Sequence, residues 1–411
     1  MNQKQSFKVV IVVVFFSSAL ISILSPMAID IANALPDVSQ SEVLITVSIF
    51  LAVSAAFSIV WAILDTKFDR KKLLIIATID WTIFTFLTTF ANNFMTLVIF
   101  QIFSAVGFGA ILPLSYSAIV DLIDAEKRGK AFGIKELFYI TGIALSFLLS
   151  AFLVPRFPWQ TPLYIISIAG LLCIILLIRA ELPEKQELTD ESEFISTKAF
   201  KDIIHNRAIL LIVFFNFLLF FWYGAISQYY TTLLRNDYGF APEMAFLFFV
   251  ILQIGQIPAG PIFGHVGDKK YENDKNGRIK VVLILVTCGA ILNFIGYSIT
   301  ISMDNIPLLL IFIIITSLAA TCFGGIDPLT QATLADVTTE NNRSTTYAIN
   351  NLSYIFGRSI SIFLLSIFLL MYNNLYQPGY VILSIATLMA IIILFPLMKV
   401  LPNEIEKIKL E

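Results

Sequence analysis

Five ionisable residues lie inside long apolar stretches of this 411-residue chain: Asp30, Asp80, Glu136, Asp327 and Arg358. A carboxylate in apolar surroundings can bind and release a proton or hold a cation, while an arginine there can hold an anionic group or a counter-carboxylate. Because a charged side chain in the middle of an apolar span costs roughly 2.5–3.5 kcal/mol, each of the five needs a partner or a water-filled cavity. The segments that carry these charges therefore decide which chemistry is possible.

The composition excludes an ordinary water-soluble protein. Hydrophobic residues make up 58% of the chain and charged residues only 14%, against roughly 25% charged residues in soluble domains. The formal net charge of −2 offers no field for nucleic acid. The cysteines (Cys173, Cys288, Cys322) and histidines (His205, His265) show no metal-ligand spacing, so we expect no zinc site, disulfide framework or cofactor. An all-α polytopic membrane protein is predicted.

Twelve hydrophobic segments, each long enough for a transmembrane helix, alternate with polar or Pro- and Gly-rich breaks. The segments lie near residues 9–35, 43–64, 73–91, 96–120, 132–154, 161–180, 208–233, 241–263, 279–301, 307–335, 345–371 and 379–400. We therefore expect an N-terminal six-helix bundle (1–180), a cytoplasmic linker (181–207), a C-terminal six-helix bundle (208–400) and a cytoplasmic tail (401–411).

The basic residues are distributed asymmetrically over the loops. With the N-terminus inside, 24 of the 27 Lys and Arg residues fall on the cytoplasmic side, Lys135 among them, and the other three are Arg156, Arg235 and Arg358. Cytoplasmic loops of membrane proteins carry such an excess of basic residues. Both termini are therefore predicted to lie in the cytoplasm, and the cell membrane is the expected location.

Four residues of the first half recur in the second half at one fixed spacing of 215 residues. The pairs are Pro113 and Pro328, Asp121 and Asp336, Arg128 and Arg343, and Gly142 and Gly357. Parallel repeats of six spans are an architecture of secondary transporters, in which two bundles enclose a midplane site and move about it in alternating access. The duplication therefore predicts transport.

A charged loop follows the second segment. Asp65 stands near the end of that segment, and Arg70, Lys71 and Lys72 follow within seven residues. In the second half, Asp268 begins a longer loop that Arg278 closes. A carboxylate at a helix end and a basic cluster nearby can bridge neighbouring helices in one conformational state and separate in another. The alternative is that these loops are only basic anchors at the cytoplasmic face.

These residues resemble the major facilitator superfamily over essentially the whole chain. The loop with Asp65, Arg70 and Lys71 is similar to that family's gating motif, and Asp121-x6-Arg128, repeated as Asp336-x6-Arg343, is similar to its partner loops. The resemblance implies twelve helices in two pseudo-symmetric six-helix bundles, with a cytoplasmic clamp that stabilises the outward-facing state. It assigns the clamp to Asp65, Arg70, Lys71, Asp121, Arg128, Asp268, Asp336 and Arg343.

The chain departs from the family pattern at several positions. Trp61 and Asp69 stand where the family usually has glycines, and Gln101 stands where antiporters carry an arginine linked to proton coupling. The loop sequences, including residues 342–345, resemble Spinster-like members, although Ala110 stands where those tend to place a glutamate. The predicted branch is Spinster-like or multidrug-efflux-like.

The resemblance also implies which segments line the central cavity: 1, 2, 4, 5, 7, 8, 10 and 11. Asp80 on segment 3 is then a structural residue, while Asp327 and Arg358 are the leading substrate or coupling residues, or else a static ion pair. Glu136 follows Lys135 and is equally explained by a salt bridge, and Asp30 by the outer interface. The uncharged candidates, which interhelical hydrogen bonding also explains, are Asn216, Gln228, Tyr229, Gln253 and Gln256.

Other functional classes are disfavoured by missing motifs. The sequence has no Gly-x4-Gly-Lys-Ser/Thr phosphate loop, no Gly-x-Ser-x-Gly and no His-Glu-x-x-His, so neither direct ATP coupling nor enzymatic activity is expected. The predicted function is a monomeric secondary transporter of a small organic or amphiphilic solute, with a proton as the candidate coupling ion. The alternatives are a lysolipid-type carrier, which needs a lateral opening to the bilayer, and a non-transporting receptor or sensor.

Overall fold

The computed structural model describes residues 3–35, 37–123, 128–182, 203, 205–256, 258–302, 304–339 and 343–410. By its internal contacts the chain divides into two compact units, Met1–Phe194 and Ile195–Glu411. Most of the predicted linker, at 183–202 and 204, lies outside the described residues. The two units are called the first and second halves below.

The first half is built of α-helices. They are α1 (Gln3–Ser18), α2 (Ala28–Ala34), α3 (Gln40–Lys67), α4 (Arg70–Thr88), α5 (Phe94–Gly109), α6 (Ile111–Leu122), α7 (Arg128–Leu153) and α8 (Thr161–Arg179). Caps define several of the helix starts. Ser39 and Glu42 form a capping box at the start of α3, and Asp69, which replaces a family glycine, accepts the Lys72 amide to begin α4.

The second half contains ten helices among its described residues. They are α9 (Arg207–Gln228), α10 (Tyr230–Tyr238), α11 (Pro242–Gln256), α12 (Ala259–Tyr271), α13 (Gly277–Ser298), α14 (Ile306–Gly324), α15 (Ile326–Asp336), α16 (Arg343–Met371), α17 (Gln377–Ala386) and α18 (Ile391–Leu410).

Ten stretches of the described chain are long and apolar enough to cross a membrane, and several of them join two consecutive helices. The two remaining predicted crossings correspond to α4 and α7. Helix α4 is too charged to qualify because it carries Arg70, Lys71, Lys72 and Asp80. Helix α7 begins with charged residues, so that only Leu137–Leu153 forms its apolar part.

The repeat is visible in where the helices break. Helix α5 ends at Gly109 and α6 starts at Ile111, while α14 ends at Gly324 and α15 starts at Ile326. The cause is proline: Pro113 and Pro328 have no N–H for the carbonyls of Gly109 and Gly324, and their rings crowd those carbonyls. The spacing of 215 residues thus places the same discontinuity in both halves.

Glycine allows the closest helix contacts at another repeated pair. In the first half α1 packs on α7, and a Cβ at Gly142 would lie 2.0 Å from the Phe15 carbonyl oxygen and 2.1 Å from Ser18 Oγ. In the second half α9 packs along α16, and a Cβ at Gly357 would lie 2.5 Å from the Phe217 carbonyl oxygen. No side chain fits at either position unless the two helices move apart.

We therefore expect Gly142→Ala to lower the melting temperature in detergent, with a loss of roughly 3 kcal/mol in the free energy of unfolding, the upper end for overpacking. The matched control is Gly264→Ala on α12, where an added Cβ would meet nothing within 4 Å. That control should be neutral or slightly stabilising, because alanine is the better helix former. Equal melting temperatures for the two variants would contradict the packing shown here.

Candidate functional site

The second half holds the best-defined cluster of candidate residues, and a helix break positions it. Asp327 lies in the first turn of α15, directly after the break at Gly325. A carboxylate is stabilised there by the free N–H groups and the dipole of the helix. Asp30 occupies the same kind of place, in the first turn of α2 after the irregular segment at 19–27. Carboxylates at the starts of interrupted helices are typical of ion and substrate sites in transporters.

Two neighbours donate hydrogen bonds to Asp327. The Tyr354 hydroxyl, on α16, lies 2.6 Å from Asp327 Oδ1, and Gln331 Nε2, one turn along α15, lies 3.2 Å from the same oxygen. Both hydrogen bonds therefore converge on one oxygen of the carboxylate. The Asp327 side chain is nevertheless exposed, so a solute or proton can approach it without unfolding of the helix.

An aromatic ring links this carboxylate cluster to the predicted arginine. The Phe220 ring on α9 meets the Tyr354 ring edge-on, with 4.7 Å between centroids and 83° between planes. The Arg358 guanidinium carbon lies 5.5 Å from the centroid of the same Phe220 ring, within cation–π range. Asp327, Tyr354, Phe220 and Arg358 therefore form one continuous group, called the charged cluster below.

The interface between α9 and α16 supports the charged cluster. Arg358 backs onto Gly224, where a Cβ would lie 2.8 Å from the arginine Cα. The Ala225 amide donates to Ser361 Oγ at 2.8 Å. On the other side of the cluster, Asn216 Nδ2 donates to Asn350 Oδ1 at 2.8 Å, with both residues fully buried. Asn216 thus joins α9 to α16. This contact sets where Phe220 on α9 lies along the helix axis relative to Tyr354 on α16.

The remaining uncharged candidates separate into two places. Gln253 and Gln256, on α11, line a cavity of about 20 Å³ together with buried Asn293 of α13. A cavity of that size has room for about one water molecule. Gln228 and Tyr229, at the junction of α9 and α10, are buried, and Tyr229 stacks on Tyr376 with ring centroids 6.2 Å apart. The structure therefore gathers the two α11 glutamines but sets Gln228 and Tyr229 in packed surroundings.

A buried lysine was missed in the first half. Lys135, assigned above to a cytoplasmic loop, lies about 10 Å along α7 from Arg128 and is 1% exposed. Its Nζ lies 2.8 Å from the Tyr116 hydroxyl oxygen and 4.1 Å from the centroid of that ring, with the Tyr139 centroid at 5.4 Å. The side chain of Glu136 lies outside the described part of the structure.

The repeat relates this lysine to the charged cluster. Lys135, Tyr139 and Tyr116 stand 215 residues before Asn350, Tyr354 and Gln331. Equivalent helix faces thus carry a cation among tyrosines in the first half and a carboxylate hydrogen-bonded to a tyrosine in the second half. Comparing the residues around Tyr139 with the residues 215 positions later, around Tyr354, could have identified both groups from the sequence.

Asp80 lies elsewhere, in the packing of α4 on α5. A Cβ at Gly107 would lie 2.6 Å from Asp80 Oδ2, so the aspartate fills the space that this glycine leaves. Its position fits the structural role expected of it.

The first half contains a charged clamp of three residues at the ends of α3, α4 and α6. Arg70 holds Asp65 with two hydrogen bonds of 2.9 Å, from Nε and Nη2, and its Nη1 contacts Asp121. Asp65 is 8% exposed and Arg70 is largely buried, so this two-point contact is shielded from water. Lys71 is oriented differently and donates to the Ile178 carbonyl near the end of α8, at 2.9 Å. The Arg128 side chain lies outside the described residues.

The second half contains an equivalent clamp. Arg278 lies 2.8 Å from Asp268 through Nε and 2.5 Å from Asp336 through Nη1. The Tyr271 ring covers the guanidinium, 4.2 Å from its central carbon. The Arg343 side chain lies outside the described part of the chain. Asp65–Arg70–Asp121 and Asp268–Arg278–Asp336 are called the two clamps below.

Arg278 was not among the predicted clamp residues. Its loop is five residues longer than the loop between Asp65 and Arg70, so the repeat spacing that pairs Asp121 with Asp336 does not pair the two arginines. The signal was present in the order of residue types, since each half carries an aspartate, then an arginine, then an aspartate at the end of the interrupted span.

Comparison with known proteins identifies a family for this chain. The family model described as Major Facilitator Superfamily matches residues 10–292 and 273–410. Among curated proteins, the niacin transporter NiaP of Acinetobacter baylyi (strain ATCC 33305 / BD413 / ADP1) is 22% identical over 238 residues, which cover 51% of this chain and 54% of that protein. The chain spans about half the length of the curated relatives it matches.

Solved structures resemble the chain over nearly its full length. A bacterial homolog of the human lysosomal transporter Spinster, in an inward-facing and unoccupied conformation, has a TM-score of 0.75 and 13% identity, over 98% of this chain and 97% of that one. The D-xylose-proton symporter has a TM-score of 0.73 and 15% identity, over 96% and 98%. These likenesses confirm the predicted all-α fold of twelve transmembrane helices in two six-helix bundles.

Proposed function

The chain belongs to the Major Facilitator Superfamily, and from this premise we propose that it is a secondary transporter that moves a small organic or amphiphilic solute by alternating access. It is an integral multi-pass membrane protein. The duplicated six-helix plan, with an interrupted span at the same repeat position in each half, supports alternating access. A gradient of protons or of the solute itself supplies the energy.

The charged cluster carries the proposal. Asp327 is an exposed carboxylate on an interrupted transmembrane helix, held by Tyr354 at 2.6 Å. In the proposed cycle its charge is neutralised in one state by a proton or by a cationic group of the solute, and in the other state it accepts the hydrogen bonds of Tyr354 and Gln331. Arg358, across the Phe220 ring, binds an anionic or strongly polar group of the solute.

The first half holds a cation–aromatic group of its own. Lys135 is buried against Tyr116 and Tyr139, and an ammonium group so desolvated interacts strongly with any acceptor that reaches it. Solutes with hydrogen-bond acceptors or a carboxylate on an organic ring or chain suit a cation–aromatic site of this kind. The name of the niacin transporter relative agrees with a small organic solute.

Orientation and location belong to the same proposal. In this proposal both termini and the two clamps lie on the cytoplasmic side of the cell membrane, and the excess of Lys and Arg in the loops supports that orientation. Each clamp there ties the loop after one span to the inner end of an interrupted span. We assign the clamps to stabilising one conformational state of the transporter, which acts as a monomer.

The transport function is tested in proteoliposomes that contain a pH-sensitive dye. We expect an imposed gradient of a transported solute to move protons, and an imposed pH gradient to concentrate labelled solute. Protein-free vesicles, and vesicles treated with a protonophore, are the controls. The panel should cover neutral, anionic and cationic organic solutes, since Asp327 and Arg358 offer both charges.

The outcomes separate the alternatives. Solute movement without proton movement would retain a transporter but remove the proton as its coupling ion. Saturable solute binding with no flux of any tested solute would contradict transport and favour a receptor or sensor.

A further inference from the structure

A basic cleft opens between α12 and α13 in the second half. It encloses about 650 Å³ and is lined by His265, Val266, Lys269, Lys270, Asp274 and Lys280, among others. That volume falls within the usual range of about 300–1,000 Å³ for ligand pockets. The proposed transport cycle uses none of these side chains, since the nearby clamp consists of Asp268, Arg278 and Asp336.

The charges in the cleft are unbalanced. Lys280 pairs with Asp274 at 2.5 Å, and this hydrogen bond lowers the pKa of Asp274, so the one carboxylate of the lining is already occupied. Neighbouring Lys275 pairs with Glu406 at 2.5 Å. Within the described chain, Lys269 and Lys270 have no salt-bridge partner and are exposed. The cleft therefore presents two uncompensated ammonium groups to any anion.

Both walls of the cleft continue into exposed apolar surface. On α12, Val266 and Ile262 lie one and two turns before Lys270 and are 39% and 55% exposed. On α13, Ile284 lies one turn after Lys280 and is 51% exposed. Each wall thus presents a cation at the helix end and an exposed, large aliphatic side chain about one turn further along the helix.

We propose that this cleft is a binding site for an anionic phospholipid. The phosphate lies against Lys269 and Lys270, opposite the Lys280–Asp274 pair, and the acyl chains follow Ile262, Val266 and Ile284. Basic pockets between transmembrane helices at the cytoplasmic side bind anionic headgroups in this manner. A free phosphate ion would use the lysines but gain nothing from the aliphatic walls.

The test is a lipid titration of the purified protein by native mass spectrometry, with dioleoyl phosphatidylglycerol against dioleoyl phosphatidylcholine. We expect phosphatidylglycerol to bind more tightly, and Lys269→Gln/Lys270→Gln to weaken that binding about 30-fold, since each lysine near an anionic surface contributes roughly a factor of five. The matched control is Lys67→Gln/Lys72→Gln, which removes two exposed lysines from the equivalent loop of the first half and should leave binding unchanged.

Three further arms make the outcome decisive. Lys269→Arg/Lys270→Arg keeps both charges and should restore binding, which excludes a general loss of folding. Ile262→Ser should weaken phosphatidylglycerol but not inorganic phosphate, and inorganic phosphate should compete only at far higher concentration than the lipid. Equal losses in the two glutamine variants, or displacement of the lipid by inorganic phosphate at equal concentration, would overturn the proposal. None of these readouts depends on transport.

Discussion

Asp327→Asn is expected to abolish solute-driven proton movement in proteoliposomes while the protein remains folded. Asparagine retains the size of the side chain and can still accept the Tyr354 hydrogen bond, but it cannot carry a proton or neutralise a cation. A carboxylate that is kept inside a span despite an insertion cost of roughly 2.5–3.5 kcal/mol is expected to act in the cycle, and we expect its neutralisation to lower the rate about 100-fold or more. The measurement is the initial rate of dye response to a solute gradient, normalised to reconstituted protein.

Two further variants, Tyr354→Phe and Arg358→Gln, test the residues around the Asp327 carboxylate. Tyr354→Phe keeps the edge-on contact with Phe220 and removes the hydroxyl that donates to Asp327 and also interacts with Thr330 and Asn350. A hydrogen bond to a charged group contributes about 1.5–3 kcal/mol, so a loss of about 10-fold or more is expected. Tyr347→Phe is the matched control on the same helix, since its hydroxyl donates to the Gln331 carbonyl at 3.3 Å. Arg358→Gln should eliminate transport of solutes with an anionic group.

The result that would remove Asp327 from the proposal is specific. Gradient-driven flux at the rate of the unmodified protein, in both Asp327→Asn and Arg358→Gln, would leave the charged cluster with a purely structural role. Melting temperatures in detergent accompany each measurement, so that misfolding cannot be mistaken for loss of coupling.

The fold could be predicted from the sequence because its causes are local. Hydropathy predicts the spans, and Pro113 and Pro328 mark the two interrupted helices, since a proline removes a specific backbone hydrogen bond. The confirmed twelve-helix fold follows from these features and the repeat. Even so, simple counting of apolar helices misses α4 and α7, because both carry several charged residues.

The candidate site was only partly predictable from the sequence. The rotation of each helix about its own axis depends on the helices packed against it and not on its own residues alone. Asp327 and Arg358 stand out by type, but their link through Tyr354 and Phe220 depends on which faces of α9, α15 and α16 meet. Spans that are apolar on every side give no periodic signal for that rotation. Lys135 was counted with the cytoplasmic basic residues although it falls inside the predicted segment at 132–154, because residue type alone does not show that its side chain is buried against Tyr116.

Loss of either clamp arginine is expected to destabilise the protein and to slow transport. Arg70→Gln leaves Asp65, 8% exposed, without the cation that holds it by two hydrogen bonds. Removing one partner from a fully buried ion pair costs about 3–5 kcal/mol. This pair is near the surface, so we expect roughly 1–3 kcal/mol. Arg278→Gln leaves two aspartates without their cation. Asp268, which is 60% exposed, should then contribute less to the loss in free energy of unfolding than Asp336, which is 24% exposed.

The double variant Arg70→Gln/Asp65→Asn decides whether the clamp acts through the arginine or through the unpaired carboxylate. Because the main cost of Arg70→Gln is an uncompensated buried charge, neutralising Asp65 as well should recover most of the melting temperature. Transport should not recover, since in our proposal the clamp stabilises one state of the cycle and the double variant lacks it. Arg156→Gln, which changes an exposed arginine that donates to the Phe152 carbonyl, is the control for arginine loss. If stability and transport recover together in the double variant, the clamps serve folding alone, and the conformational role assigned to them here is wrong.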